Sequence, residues 1–165
     1  MTCLECNEPM KERTNQTMAY TMGGLPHVTV RGITIRQCRN GHQETVIPKI
    51  DALHRSIAST LIRKAERLAP EEIRFLRKYL GYSQADFAAV AGVAPESANR
   101  WESGKVQMAV ASERLLRLMV ARQAPIEDYT LEDLQRANTI PVVVTSTVTA
   151  KMKDGETWIL STHAA

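Results

Sequence analysis

Four residues near the start of the chain have the types and spacing to hold a metal ion. Cys3-Leu4-Glu5-Cys6 is a C-x-x-C, and after 31 intervening residues comes Cys38-Arg39-Asn40-Gly41-His42. A ribbon-type site uses two such knuckles, because a tight turn delivers both ligands of a knuckle to one tetrahedral ion. A second C-x-x-C would need cysteine at position 41, where the chain has Gly41. His42 lies one residue further on, and C-x-x-x-H is an acceptable second knuckle. The expected ligand set for a structural Zn2+ is therefore Cys3, Cys6, Cys38 and His42. Four protein ligands would close the site and leave no position for catalysis. Two other readings stay open: a redox-active C-x-x-C, although the βαβ context of that chemistry is missing, and a degenerate, metal-free cluster. His27, His54 and His163 have no ligand-like neighbours and are expected at the surface or in packing.

A second group of residues has the chemistry of base recognition. In Ser83-Gln84-Ala85-Asp86-Phe87-Ala88-Ala89-Val90-Ala91-Gly92-Val93-Ala94-Pro95-Glu96-Ser97-Ala98-Asn99-Arg100-Trp101-Glu102-Ser103-Gly104-Lys105, Ser83 caps one helix and Pro95 opens the next. Ala88 is small enough for the two helices to cross closely, and Gly92 supplies the positive φ of a tight inter-helix turn. Phe87, Val93, Ala98 and Trp101 are spaced to face a shared core. Glu96, Ser97, Asn99 and Arg100 are left outward on the second helix. A helix fits the major groove, where such side chains distinguish base edges, and arginine paired to guanine is the commonest specific contact.

The surrounding elements follow from periodicity. Residues 1–48 alternate at Val28-Thr29-Val30 and Ile33-Thr34-Ile35, with Gly32 between, and read as short strands. A small β-unit without a large core would depend on its metal to fold. From Lys49 to Ala69, Ile50, Leu53, Ile57, Leu61, Ala65 and Leu68 form one helical stripe, a linker helix. Residues 70–122 read as a compact set of helices: Pro70-Glu71-Glu72 starts the first, Gly81 stops it, and Met108, Ala111, Leu115 and Leu118 mark the buried stripe of the last. In residues 123–165, Pro125 breaks that helix and Thr130 caps a short one. Val142–Met152 and Thr157–Ser161 then flank Lys153-Asp154-Gly155-Glu156, a hairpin signal. An isolated hairpin is marginal in water and must pack on something. The expected fold class is α+β.

Composition narrows the functional classes. The basic middle carries 13 Lys/Arg against 8 Asp/Glu in residues 49–122, against 5 and 4 in residues 1–48 and 3 and 6 in residues 123–165. Such an asymmetry suits a nucleic-acid-binding segment, and equally a solvated basic helix face. Apolar runs are too short to cross a bilayer, and no signal core opens the chain, so a cytoplasmic location is expected. There three cysteines suit metal or chemistry better than disulfides. No nucleophile–base constellation, phosphate loop or open metal site is present, so no enzymatic activity is expected.

Residues 70–120 resemble the Cro/XRE-type helix-turn-helix family, which implies a five-helix DNA-binding domain. On that resemblance Glu96 and Arg100 occupy base-contacting positions, and Pro95 sits where many members carry a contacting side chain. Gln84 and Lys105 match positions that touch phosphate. The order of zinc knuckle, strand pattern Val28–Gly32, linker helix and helix-turn-helix resembles the MqsA (YgiT-type zinc finger) antitoxin family over residues 1–120. That resemblance implies a structural zinc, a homodimer on a palindromic operator, repression of its own operon, and capture of a cognate toxin by the N-terminal domain. The chain departs from the family at Gly41/His42 and in residues 123–165, which extend past the usual end. A stand-alone zinc-finger/helix-turn-helix regulator without a toxin, and a protein-interaction adaptor using the C-terminal hairpin edge, are the competing classes.

Overall fold

The computed structural model describes residues 1–123, 129–137 and 146–164. In chain order the elements are β1 (Met10–Tyr20), β2 (Leu25–Cys38), β3 (Gln43–Val46), α1 (Ile50–Arg63), α2 (Pro70–Tyr79), α3 (Gln84–Ala91), α4 (Pro95–Glu102), α5 (Val110–Gln123), α6 (Leu131–Arg136), β4 (Ser146–Lys153) and β5 (Thr157–Ala164). The mixture is α+β, as the alternation and helical periods imply.

β2 is the spine of a five-stranded sheet. β1 runs antiparallel along one of its edges; β3 pairs antiparallel with Thr34–Gln37 and β4 parallel with Val28–Arg31, and β5 closes the sheet against β4. The C-terminal hairpin thus packs beside the N-terminal strands, with Val28 opposite Val148. Its turn places Asp154 and Gly155 at φ 53° and 69°, the two positive values that a tight hairpin favours. Residues Val142–Val144 and Pro125 lie outside the described residues.

Two strand expectations change. Gly32 does not separate two strands: at φ 83° it forms a bulge inside β2, where one step along β1 (Gln16 to Thr17) matches two along β2 (Ile33 to Arg31). The extra residue keeps Val28, Val30 and Ile33 on one buried face. β1 itself has a mostly polar, exposed sequence that gives no alternation to read, and pairing to β2 defines it.

That buried face is not a small separate core. Val28, Val30, Ile33, Val148, Ala150 and Trp158 join Leu53, Ile57 and Leu61 of α1 and Ile73 and Leu76 of α2 in one cluster. Trp158 donates from Nε1 to the Pro48 carbonyl at 3.3 Å, and Ser56 donates to the Trp158 carbonyl at 3.3 Å. The expectation that the β-unit lacks a core is therefore wrong: helices from the middle of the chain supply one.

The linker helix is shorter than its stripe. α1 ends at Arg63, and Ala65 and Leu68 lie beyond it. The reason is Arg117, fully buried, whose guanidinium donates to the carbonyls of Leu61, Ile62, Lys64 and Glu66. Those acceptors are satisfied without further helical turns. Glu113, also fully buried, accepts from Arg117 at 2.8 Å, from Arg67 Nε at 2.7 Å and from the Leu68 N–H at 2.9 Å. This network rotates α5 away from the expected stripe. Its buried face is Glu113, Leu116, Arg117 and Val120, while Leu115 and Leu118 are 37% and 43% exposed. After the linker helix the described residues hold four helices over residues 70–123, α2 to α5, one fewer than the five the resemblance implies, and α1 packs on α2 and α5.

The remaining histidines lie in packing or at the surface, as expected. His27 lies 3.3 Å from the carboxylate of Glu72, and His54 Nε2 lies 2.6 Å from the Tyr20 hydroxyl and packs edge-on to Phe75. Burial lowers the His54 pKa, which favours the neutral ring that accepts from Tyr20. His163 is exposed. Among the described residues, no helix is long and apolar enough to cross a membrane.

Candidate nucleic-acid interface and metal centre

α3 and α4 are built as their residues require. Ser83 Oγ accepts from the Asp86 N–H at 3.1 Å, and Gly92 closes α3 at φ 68°, with its N–H on the Ala88 and Ala89 carbonyls. Phe87, Ala88, Ala98 and Trp101 are buried and Val93 is half-buried. The pair is anchored by Glu102 at the end of α4. Its carboxylate accepts from Arg77 Nε at 2.5 Å, Arg77 Nη2 at 3.1 Å and Gln84 Nε2 at 2.9 Å, and Arg74 lies 3.6 Å away. Burial would raise the Glu102 pKa, but the Arg77 and Gln84 hydrogen bonds and the neighbouring guanidinium charges hold it below the ordinary value.

This anchoring leaves Pro95, Glu96, Asn99 and Arg100 exposed along α4, with Ser97 half-buried. Lys105 is exposed just beyond, its N–H on the Arg100 carbonyl at 3.0 Å. Gln84 is placed differently: its amide is half-buried and committed to Glu102, so it supports α4 from within. Arg77 and Glu102 were not singled out from sequence. Their only signal was two charged residues at otherwise core-facing helical positions.

The second candidate site lies where β2 ends. Cys3, Cys6, Cys38 and His42 have ligand atoms all within 4.8 Å of one another. Cys6 and Cys38 sulfurs are 3.7 Å apart, and Cys3 Sγ is 3.5 Å from His42 Nδ1. A tetrahedral zinc with Zn–S of about 2.3 Å and Zn–N of about 2.0–2.1 Å requires S···S edges of about 3.8 Å and S···N edges of about 3.5 Å. The residues present fit such an ion, and the spacing is too long for a disulfide. Each knuckle is locked by backbone bonds: Asn7 N–H to Cys3 C=O at 2.9 Å, and Gly41 N–H to Cys38 C=O at 3.1 Å. Gly41 sits at φ 87°, which explains why glycine serves at the position where a second C-x-x-C would carry cysteine. Sequence reasoning missed Glu5, whose carboxylate lies 3.3 Å from His42 Nε2. A carboxylate on the distal nitrogen fixes a ligating imidazole's tautomer and orientation.

Residues 73–121 match the family model described as helix-turn-helix (HTH_3). No curated protein matches the chain, and no solved structure matches it. The chain therefore contains an XRE-type helix-turn-helix domain joined to a sheet that carries a Cys3His cluster.

Proposed function

We propose that the protein is a sequence-specific, DNA-binding transcriptional repressor without enzymatic activity. Acting as a homodimer, it would be the antitoxin of a toxin–antitoxin pair. The observation that carries DNA binding is the build of α4: Trp101, Ala98 and Glu102 hold it from inside, and Glu96, Asn99 and Arg100 face outward. Inserted in a major groove, Arg100 and Glu96 would read base edges, and Lys105 would position the helix on phosphate. The outward stripe Ala111, Leu115 and Leu118 on α5 supports pairing with a second copy. Two α4 helices would then lie in successive major grooves, about 34 Å apart. In the metal centre, Cys3, Cys6, Cys38 and His42 would hold a Zn2+ whose role is to fix both knuckles. The toxin-capturing role rests on the order of a metal-knuckle sheet followed by a helix-turn-helix.

Binding to duplexes from the protein's own promoter, measured by fluorescence anisotropy, tests the reading. Arg100→Ala should weaken specific binding by about 1–3 kcal/mol and leave random-sequence binding nearly unchanged. Equal losses on both duplexes contradict a base-reading role. Co-expression with each adjacent reading frame tests the antitoxin role separately: no growth rescue alongside intact promoter binding leaves a stand-alone regulator.

A further inference from the structure

We propose that the outward face of the sheet, on the side away from the helices, is a docking surface for an acidic protein. The strand registers define this face. Ala19, Thr29, Thr149 and Ser161 form one row across four strands, and Thr17, Arg31, Lys151 and Ile159 form the next. The residues between them, Val30 and Ala150, are buried under the helices. Half of the face comes from the N-terminal strands and half from the C-terminal hairpin, so the surface exists only because residues 146–164 complete the sheet.

Its charge is unbalanced in a way the fold does not need. Arg31 and Lys151 stand directly opposite each other on neighbouring strands, both exposed, and no acidic side chain among the described residues pairs with either. Like charges in that position destabilise a sheet. Arg36 lies on the same face beyond the Gly32 bulge, and there Glu12 at 2.9 Å and Glu44 at 3.5 Å flank the guanidinium from both sides. The same sheet thus neutralises one cation twice and leaves two others side by side. Carboxylates from a partner would relieve that repulsion and gain two ion pairs.

The remaining chemistry of the rows favours protein over nucleic acid. Threonine and serine hydroxyls flank the cations, and Ile159, 49% exposed, sits beside Lys151 as an apolar contact. The two rows contain no aromatic ring on which a base would stack. α1 and α2 cover the opposite face of the sheet, and α4 packs beyond them on α2 and α3. A duplex seated on α4 therefore lies on the other side of the molecule. The surface is independent of both the DNA-reading helix and the metal centre.

Titrating the full chain with a deca-glutamate peptide at low salt, followed by amide NMR, tests the assignment. The expected shifts map to Thr17, Thr29, Arg31, Thr149, Lys151 and Ile159. Arg31→Glu/Lys151→Glu should weaken binding at least tenfold, and the milder Arg31→Gln/Lys151→Gln should give a smaller loss in the same residues. The control Arg55→Glu/Lys78→Glu, equal in net charge to the first pair, should change little. Shifts confined to α4, or an equal loss in the control, overturn the proposal. A random-sequence duplex that moves the same sheet residues more strongly than the peptide makes the face a nucleic-acid surface and also overturns it. Concentration-dependent shifts there without peptide would assign the face to a second copy of the chain, with the same consequence.

Discussion

The helix-turn-helix and the metal end of the sheet each place polar groups where water is scarce, and they solve the problem in opposite ways. In the helical region, Arg77 meets Glu102 and Arg67 and Arg117 meet Glu113, so each of these buried charges faces its opposite within the chain. At the end of β2, Cys3 and Cys38 are buried and Cys6 and His42 half-buried, all with donor atoms pointing at one another. The first region carries its own counter-charges; the second presents four donor atoms that a metal ion would complete. Between them lies the core that β2 shares with α1 and α2, and the helix-turn-helix side chains Phe87 and Trp101 belong to the same cluster.

Metal removal should expose this contrast most strongly. Structural zinc binding in small isolated fingers amounts to about 10–16 kcal/mol of folding free energy. Here Val28, Val30 and Ile33 are anchored by helices, so the loss should stay local. With a strong chelator, amide signals of Cys3–Glu8 and Cys38–His42 should collapse while those of α2–α5 persist. Collapse of the helices on the same titration would show that the two regions are not independent.

Breaking the internally balanced region should cost less, but it should be global. Arg117→Ala leaves Glu113 short of a partner and takes a donor from four carbonyls, of which Leu61 keeps the Lys64 N–H and Ile62 the Tyr129 hydroxyl. Removing one member of a buried pair typically costs about 3–5 kcal/mol, measurable as a drop in urea midpoint. Glu113→Leu should cost more than Arg117→Ala, because it leaves both the fully buried Arg117 and Arg67 without their carboxylate. A Glu113→Leu variant no less stable than Arg117→Ala would assign the network's value to the carbonyl contacts alone.

The same contrast governs what the sequence disclosed. The ligand set was legible because C-x-x-C and C-x-x-x-H are local spacings, and Ser83, Gly92 and Pro95 were legible because caps and turns are local chemistry. α5 was misread because a pattern of apolar residues cannot register a buried Glu113–Arg117 pair; it assigns Leu115 and Leu118 to the core that the charged pair occupies. α1 was overextended for the same cause, since Arg117, more than fifty residues away, satisfies its terminal carbonyls. The parallel pairing of β2 with β4 joins distant strands with no turn between them to announce it. Glu5 went unnoticed because its role exists only once His42 is placed.

Glu5 offers a finer probe of the metal end of the sheet. With His42 Nδ1 directed at the cluster, Nε2 faces the Glu5 carboxylate at 3.3 Å. Loss of such a partner lowers metal affinity by about 10- to 100-fold, and with Glu5 exposed the lower end applies. Glu5→Ala should weaken zinc about tenfold in competition with a chromophoric chelator, and Glu5→Gln, which keeps an acceptor, should weaken it less. Unchanged affinity in both would mean that backbone bonds alone orient His42.

The smallest effect should lie at the junction of the two regions, where Glu72 connects α2 to β2. Its carboxylate accepts from the Ala69 N–H at 2.8 Å and from Lys64 Nζ at 2.9 and 2.8 Å, with His27 3.3 Å away. Burial would raise its pKa, but His27, Lys64 and the Ala69 N–H overcome that and hold it below the ordinary glutamate value. A carboxyl depressed on folding contributes stability that is fully present above its unfolded pKa, about 4.3, and is lost as pH falls through the folded value. Wild type should therefore lose stability below about pH 4.3 more steeply than Glu72→Gln. Comparing the two isolates this carboxyl from acid release of a metal, since Glu72 is outside the ligand set and any metal loss is common to both. Parallel profiles in that range would mean that Glu72 titrates as if solvated, and that the junction owes its geometry to the Tyr20–His54–Phe75 contacts instead.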